Sequence, residues 1–121
     1  MGHARTIVPK RGDVYLVNFD PTVGSEIKKT RPALVLQNDI ANKYSPVTIV
    51  AAITSFDGDR LYPTEVKIEA QIGGLDRESI VLLNQLRTID KERLIKKLGV
   101  LGEKSMEKVN TALLISVGLV R

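Results

Sequence analysis

The sequence predicts an α+β fold that is mainly β, a small antiparallel barrel or strongly curled sheet closed by C-terminal helices. Three observations carry this reading. Between residues 13 and 89, short segments rich in β-branched residues alternate with turn-forming clusters, and no helix of useful length separates the early strands, which disfavours parallel βαβ units. After residue 90 the apolar spacing lengthens to three and four residues. The chain has 121 residues, 43% hydrophobic and 26% charged, which is one ordinary globular domain over 1–121, with residues 1–9 as a leader segment.

Taken in order, Asp13 to Phe19 is the first strand. Val14 and Leu16 fall on one face and Tyr15, Val17 and Phe19 on the other, the pattern of a strand buried on both sides. Asp20 and Pro21 end it, and Thr22 to Thr30 has no sustained period, so it reads as an exposed loop. Pro32 opens a short strand over Ala33 to Gln37, and Asn38 to Pro46 is a polar loop. Val47 to Ser55 is a central strand, and Asp57-Gly58 a turn. In Thr64 to Glu69, Val66 and Ile68 face inward. Gly73-Gly74 break the chain, and Ile80 to Leu83 with Gln85 to Ile89 form one bent strand or two consecutive ones. Asp90 then caps an expected helix with Glu92 in its first turn and Leu94, Ile95 and Leu98 on its apolar face, stopped by Gly99 and Gly102. A final helix covers Glu103 to Leu119, with Met106, Val109, Leu113 and Val117 in a stripe. Ala112, Leu114 and Ile115 widen that stripe beyond one packing face, as a helix contacting both the sheet and a second subunit would require.

Several chemistries are excluded. Without cysteine there is no disulfide scaffold, thiol nucleophile or cysteine metal site, and a reducing, cytoplasmic location is expected. The apolar runs Val47 to Ile53 and Ala112 to Val120 fall short of the ~20 residues of a membrane span. The only histidine, His3, precedes the first strand, so a paired-histidine nuclease cannot form within one chain. There is no His-Glu-x-x-His, Walker loop or Gly-x-Gly-x-x-Gly. Asp57, Asp59 and Asp76 read as solvated turn residues, so neither metal nor cofactor is expected. The 18 basic against 14 acidic residues, a net +4, suit a polyanionic partner about as well as plain solubility. Trp is absent and aromatics are only 4%, too few for an extended base-stacking platform.

Three features remain. Gly24 to Pro32 places Lys28, Lys29 and Arg31 within four residues just ahead of a strand, and Pro32 holds Arg31 extended there, presenting a planar fork suited to phosphate. A plain solvated loop has the same composition. Thr54, near the end of the central strand, offers a hydroxyl for a phosphate or ribose oxygen, although threonine is also a common strand residue. Asn84-Gln85 with Arg87 can read base edges and bind phosphate, or form a polar sheet edge.

The ordered segments Lys10-Arg11-Gly12-Asp13-Val14-Tyr15, Asn18-Phe19-Asp20-Pro21, Gly24-Ser25-Glu26, Arg31 to Asn38, Ile49 to Thr54, Leu61-Tyr62-Pro63-Thr64 and Leu82 to Asp90 resemble the MazF/PemK family of toxin endoribonucleases over about residues 10–119. The resemblance implies an SH3-like barrel with C-terminal helices, acting as a homodimer. It implies metal-independent cleavage of single-stranded RNA, mostly mRNA, at short sequence motifs. The RNA 2′-hydroxyl is the nucleophile, leaving a 2′,3′-cyclic phosphate and a 5′-hydroxyl. It also implies a cognate antitoxin whose disordered, acidic-hydrophobic C-terminal tail covers the RNA channel. By the same resemblance Arg31 and Thr54 are catalytic, and Gly24, Ser25, Glu26, Asn84 and Gln85 contact RNA, with Lys28, Lys29 and Arg87 expected beside them. The position of Asn84 is often acidic in relatives, a departure that bears on base preference and not on the chemistry. Glu26 is the carboxylate nearest in sequence to serve as a base. Two other readings stay open. One is a gyrase-poisoning toxin on the same fold, although such relatives end in a terminal tryptophan and this chain ends Val117-Gly118-Leu119-Val120-Arg121. The other is a non-catalytic RNA- or peptide-binding barrel.

Overall fold

The computed structural model describes residues 7–26 and 29–121. His3 and Lys28 lie outside the described residues. The strands β1 (Asp13–Asn18), β2 (Thr30–Val35), β3 (Val47–Ser55), β4 (Glu65–Ile68), β5 (Ser79–Asp90) and β6 (Leu94–Val100) form one antiparallel sheet in the order β4-β5-β3-β2-β1-β6. Helix α1 (Asp39–Tyr44) joins β2 to β3, and helix α2 (Glu103–Ser116) follows β6.

The sheet is buried on both faces, which follows from its double alternation. Ala33 and Val35 join Tyr15, Val17, Phe19, Val50 and Ala52 in one apolar cluster. Leu34 and Leu36 join Val14, Ala51, Ile53, Val81 and Leu83 in the other, which Val109 and Ala112 of α2 cover. Met106 and Leu113 pack on that second cluster at the three- and four-residue steps read from the sequence. The Ser116 hydroxyl donates to the Leu83 carbonyl at 2.6 Å and Arg11 Nη2 to Asn110 Oδ1 at 2.7 Å, which ties α2 down at its C-terminal end and at its middle.

Three expectations are corrected. The expected helix over Asp90 to Leu98 is a 3-10 turn, Lys91–Arg93, followed by β6. Asp90 does cap, its carboxylate accepting the Glu92 N–H at 2.8 Å, but only that single turn follows. The strand hid its period because it carries two irregularities in its pairing with β1. Val14 and Tyr15 face Gly99 and Lys97, and Leu16 and Val17 face Lys96 and Leu94, so Leu98 and Ile95 are skipped. Each bulge flips the inward face, so Leu94 enters one cluster while Leu98 packs on the other. The second correction is α1, within the expected loop over Asn38 to Pro46. Asn38 Oδ1 accepts the Ala41 N–H at 2.8 Å as its cap. Its inward residue is the amide Asn42, fully buried and bonded to Gln37 and Thr48, so no apolar stripe announces the helix. Third, β2 begins at Thr30, so Arg31 and Pro32 lie within the strand, and α2 ends at Ser116, short of Leu119.

Asp39 also accepts the Arg11 N–H at 2.7 Å, and that bond, more than the neighbouring side chains, holds its carboxyl below the ordinary value. This anchoring of the N-terminal segment is complete above the ordinary carboxylate range and is lost as pH falls through the depressed folded-state value.

The curl is closed by backbone against backbone. The β4–β5 connection contains a 3-10 turn, Ile72–Gly74, seated directly on β6. A Cβ added at Gly74, where φ is +78°, would lie 2.0 Å from the Leu98 carbonyl oxygen. One added at Gly99 would lie 2.5 Å from the Gly73 carbonyl carbon. We expect Gly74→Ala and Gly99→Ala each to cost at least about 3 kcal/mol, read as a lower urea midpoint at unchanged m. Gly24→Ala, at φ +59° with nothing within 4 Å of the added carbon, should cost only about 1 kcal/mol.

Candidate active site

Arg31 and Thr54 reach each other from adjacent strands. Ala33 faces Ala52 in the β2–β3 pair, and the same register continued by two residues sets Arg31 across from Thr54. Arg31 Nη1 lies 3.4 Å from Thr54 Oγ1. That is long for an N–H···O bond, and it leaves geometry for one phosphate oxygen to sit against both groups. Both residues are half-buried. They line a cleft of about 180 Å³ whose other wall is Leu75, Asp76 and Arg77.

Glu26, Gln85 and Arg87 line a second cleft of about 110 Å³, together with Phe19 and Leu86. Leu86 faces Ala51 of β3, three residues from Thr54, so the two clefts lie roughly 10 Å apart along that strand. Glu26 therefore does not stand in the Arg31–Thr54 cleft. Its carboxylate accepts the Val23 N–H at 2.6 Å, and its own N–H donates to the Val23 carbonyl at 3.2 Å. This closes a turn that presents Gly24 and Ser25 to solvent.

Asn84 and Gln85 sit on an irregularity of β5. Ala51 pairs with Leu86 and Ala52 with Leu82, so the register shifts across Leu83, Asn84 and Gln85. Asn84 is exposed, and Gln85 turns toward the Glu26 cleft.

The loop between β1 and β2 is held at its base by two arginines on four successive carbonyls. Arg93 Nη1 donates to the carbonyls of Asn18 and Asp20. Arg87 Nη1 and Nη2 donate to those of Phe19 and Pro21, with the guanidinium over the Phe19 ring. Lys29 closes the other side, its N–H donating to Asp20 Oδ1 at 2.9 Å and its carbonyl accepting from Phe19 at 3.0 Å. These bonds hold Lys29 at φ +68°, a conformation a non-glycine residue adopts only when its surroundings impose it. Arg87, expected beside the RNA, thus binds backbone as well as lining a cleft. Arg93 went unnoticed in the sequence, because an arginine that binds carbonyls leaves no motif.

Among the described residues, no three or more histidine, cysteine or carboxylate side chains gather as a metal site. Among them, too, no helix is long and apolar enough to cross a membrane.

The family described as the PemK-like, MazF-like toxin of type II toxin–antitoxin systems matches residues 10–117. Endoribonuclease EndoA of Bacillus subtilis is 49% identical over 114 residues, covering 94% of this chain and 98% of that protein. Endoribonuclease MazF of Staphylococcus saprophyticus is 50% identical over 110 residues, covering 91% and 92%. Among solved structures, MazF of Deinococcus radiodurans superposes with a TM-score of 0.78 at 28% identity, over 93% of this chain and 98% of that one. A mycobacterial endoribonuclease in complex with its cognate antitoxin gives 0.76 at 26%, over 93% and 98%.

The arginine clamp yields a test of its own. Arg93→Gln should speed amide exchange at Lys29 and Glu26 by at least about tenfold, through the loss of two charge-assisted bonds, while amides of β3 keep their protection. Unchanged exchange in the loop would show that Arg93 does not hold it.

Proposed function

The chain belongs to the PemK-like, MazF-like toxins of type II toxin–antitoxin systems, and on that basis we propose how it works as an endoribonuclease on single-stranded RNA, chiefly mRNA. The observation that carries the reading is the meeting of Arg31 and Thr54 across one cleft.

The RNA supplies its own nucleophile. The 2′-oxygen bonds to phosphorus while the bond from phosphorus to the 5′-oxygen breaks. The 2′-hydroxyl gives up its proton and the departing 5′-oxygen takes one, leaving a 2′,3′-cyclic phosphate and a 5′-hydroxyl. The protein's part is alignment and charge. Arg31 donates to the phosphoryl oxygens, where negative charge grows in the transition state. Thr54 donates to the same phosphate or steers the 2′-hydroxyl. No metal is required for these steps.

The flanking RNA lies over the second cleft. Gly24, Ser25 and Glu26 present the loop to it, Asn84, Gln85 and Arg87 face it from β5, and Lys28 and Lys29 add positive charge. At the register shift of β5 against β3, the amides of Asn84 and Gln85 would read base edges.

The partner is an antitoxin, as in the mycobacterial complex, and its disordered acidic-hydrophobic tail would compete with RNA for this surface. The active form is a homodimer. Supporting this, Leu114 in the last turn of α2 and Val117, Leu119 and Val120 just beyond it are 40%, 52%, 71% and 45% exposed, a set of apolar side chains without cover in the single chain. A toxin of mRNA works where mRNA is, in the cytoplasm.

Incubated with a long single-stranded RNA in excess chelator, the protein should make discrete cuts with cyclic-phosphate ends. Intact RNA with inhibited gyrase, or RNA retained uncut, would instead support the other two readings. Arg31→Ala should lower single-turnover cleavage by about 10²–10³ with the fold intact, and Arg31→Lys should recover little of it. Thr54→Val, which removes only the hydroxyl, should slow cleavage strongly at a nearly unchanged melting temperature. A full rate in either alanine or valine variant removes that residue from the mechanism. Light scattering at micromolar concentration should return twice the mass of one chain.

A further inference from the structure

The wall of the cleft opposite Arg31 and Thr54 has no part in the steps above. It is the segment Leu75, Asp76 and Arg77, which leads from the Gly73-Gly74 turn into β5. Each of its three carbonyls accepts a hydrogen bond. The Gln71 N–H donates to the Leu75 carbonyl at 2.7 Å, and Gln71 Nε2 to the Asp76 carbonyl at 3.3 Å. The Ser79 hydroxyl donates to the Arg77 carbonyl at 2.9 Å. Ser79 is itself buried and pairs with Ser55, the residue after Thr54. The main chain of Arg77 is thus held in register with the catalytic strand, while its side chain is exposed on the rim of the cleft.

Charge points the same way. Arg31 and Arg77 face the cleft against the single carboxylate of Asp76, a net of one positive charge. None of the ion pairs among the described residues includes Arg77. An anchored main chain bearing an exposed guanidinium, across a cleft from a second arginine, suits a polyanion whose charges recur along its length.

We propose that Arg77 binds a backbone phosphate of the RNA next to the one held by Arg31, so that the substrate is gripped on both walls of the cleft. This assignment rests on the endoribonuclease reading. It gives Arg77 a part in binding and none in the chemical step, because the residue grips a phosphate that does not react.

The test uses the full chain and a short single-stranded RNA spanning a cut mapped with the wild-type protein, carrying deoxyribose at the nucleotide whose 2′-hydroxyl attacks. Arg77→Ala should raise the Kd for this uncleavable RNA about tenfold and reduce the slope of log affinity against log salt by about one. On the cleavable RNA its kcat at saturation should stay within about threefold of wild type. Arg77→Lys should restore most of the affinity, since a point charge suffices for a phosphate. Melting temperatures of both variants should match wild type. An unchanged Kd and salt slope in Arg77→Ala would overturn the assignment, as would a loss confined to kcat. If the wild-type protein cuts no RNA, the endoribonuclease reading fails. If it cuts and Arg77→Ala binds normally, only the role of Arg77 fails.

Discussion

The contact of Gly73-Gly74 with Leu98-Gly99 is the constraint on which the architecture turns. Backbone meets backbone there at distances that admit no side chain. The β4–β5 connection is thereby pressed onto the edge strand β6, and a sheet of six strands is held curled. Curling gives both faces something to pack against, so a chain of this size can bury two apolar clusters instead of one. The same contact fixes where the chain goes next. Leu75, Asp76 and Arg77 leave the turn and form the second wall of the cleft that holds Arg31 and Thr54. The packing of the fold and the shape of the site therefore depend on the same four residues.

Around the site, arginine serves two different purposes. Arg87 and Arg93 satisfy main-chain carbonyls and set the shape of a loop that has no secondary structure of its own. Arg31 stands in a strand, where the ladder and Pro32 limit how its backbone can move. Positioning a charge by a rigid strand and shaping a loop by fixed charges are complementary solutions to one difficulty. A surface that gathers cations must be held precisely, yet its like charges repel each other and discourage close packing.

Much of this was legible in the sequence, and the failures have physical causes. The run from Val47 to Ser55 is a strand with those same ends, since β-branched residues recur along its whole length. In β6, two bulges scrambled the period of two into one resembling a helix, and a true cap at Asp90 strengthened the error. In α1, a buried amide network replaced the apolar stripe that would have betrayed a helix. At the site, Arg31 could be placed at a strand entrance from Pro32 alone, but its meeting with Thr54 depends on a pairing register that no local pattern encodes. Glu26 is close to Arg31 in sequence and belongs to another cleft. The Gly73-Gly74 pair was readable as a turn, whereas its closeness to Gly99 is a long-range fact.

The three residues of β5 at the register shift against β3 have a bearing on how such an enzyme diverges. Leu83, Asn84 and Gln85 lie between two stretches of intact ladder. Of these, Leu83 is buried in the core, whereas Asn84 is exposed, so exchanging the side chain at 84 breaks no strand register and opens no cavity. Arg31 and Thr54 sit on paired strands, where a change propagates into neighbours. The side chain at 84 can thus change at low structural risk, and on the function proposed above such a change would retune what is recognised while Arg31 and Thr54 stay fixed in their strands.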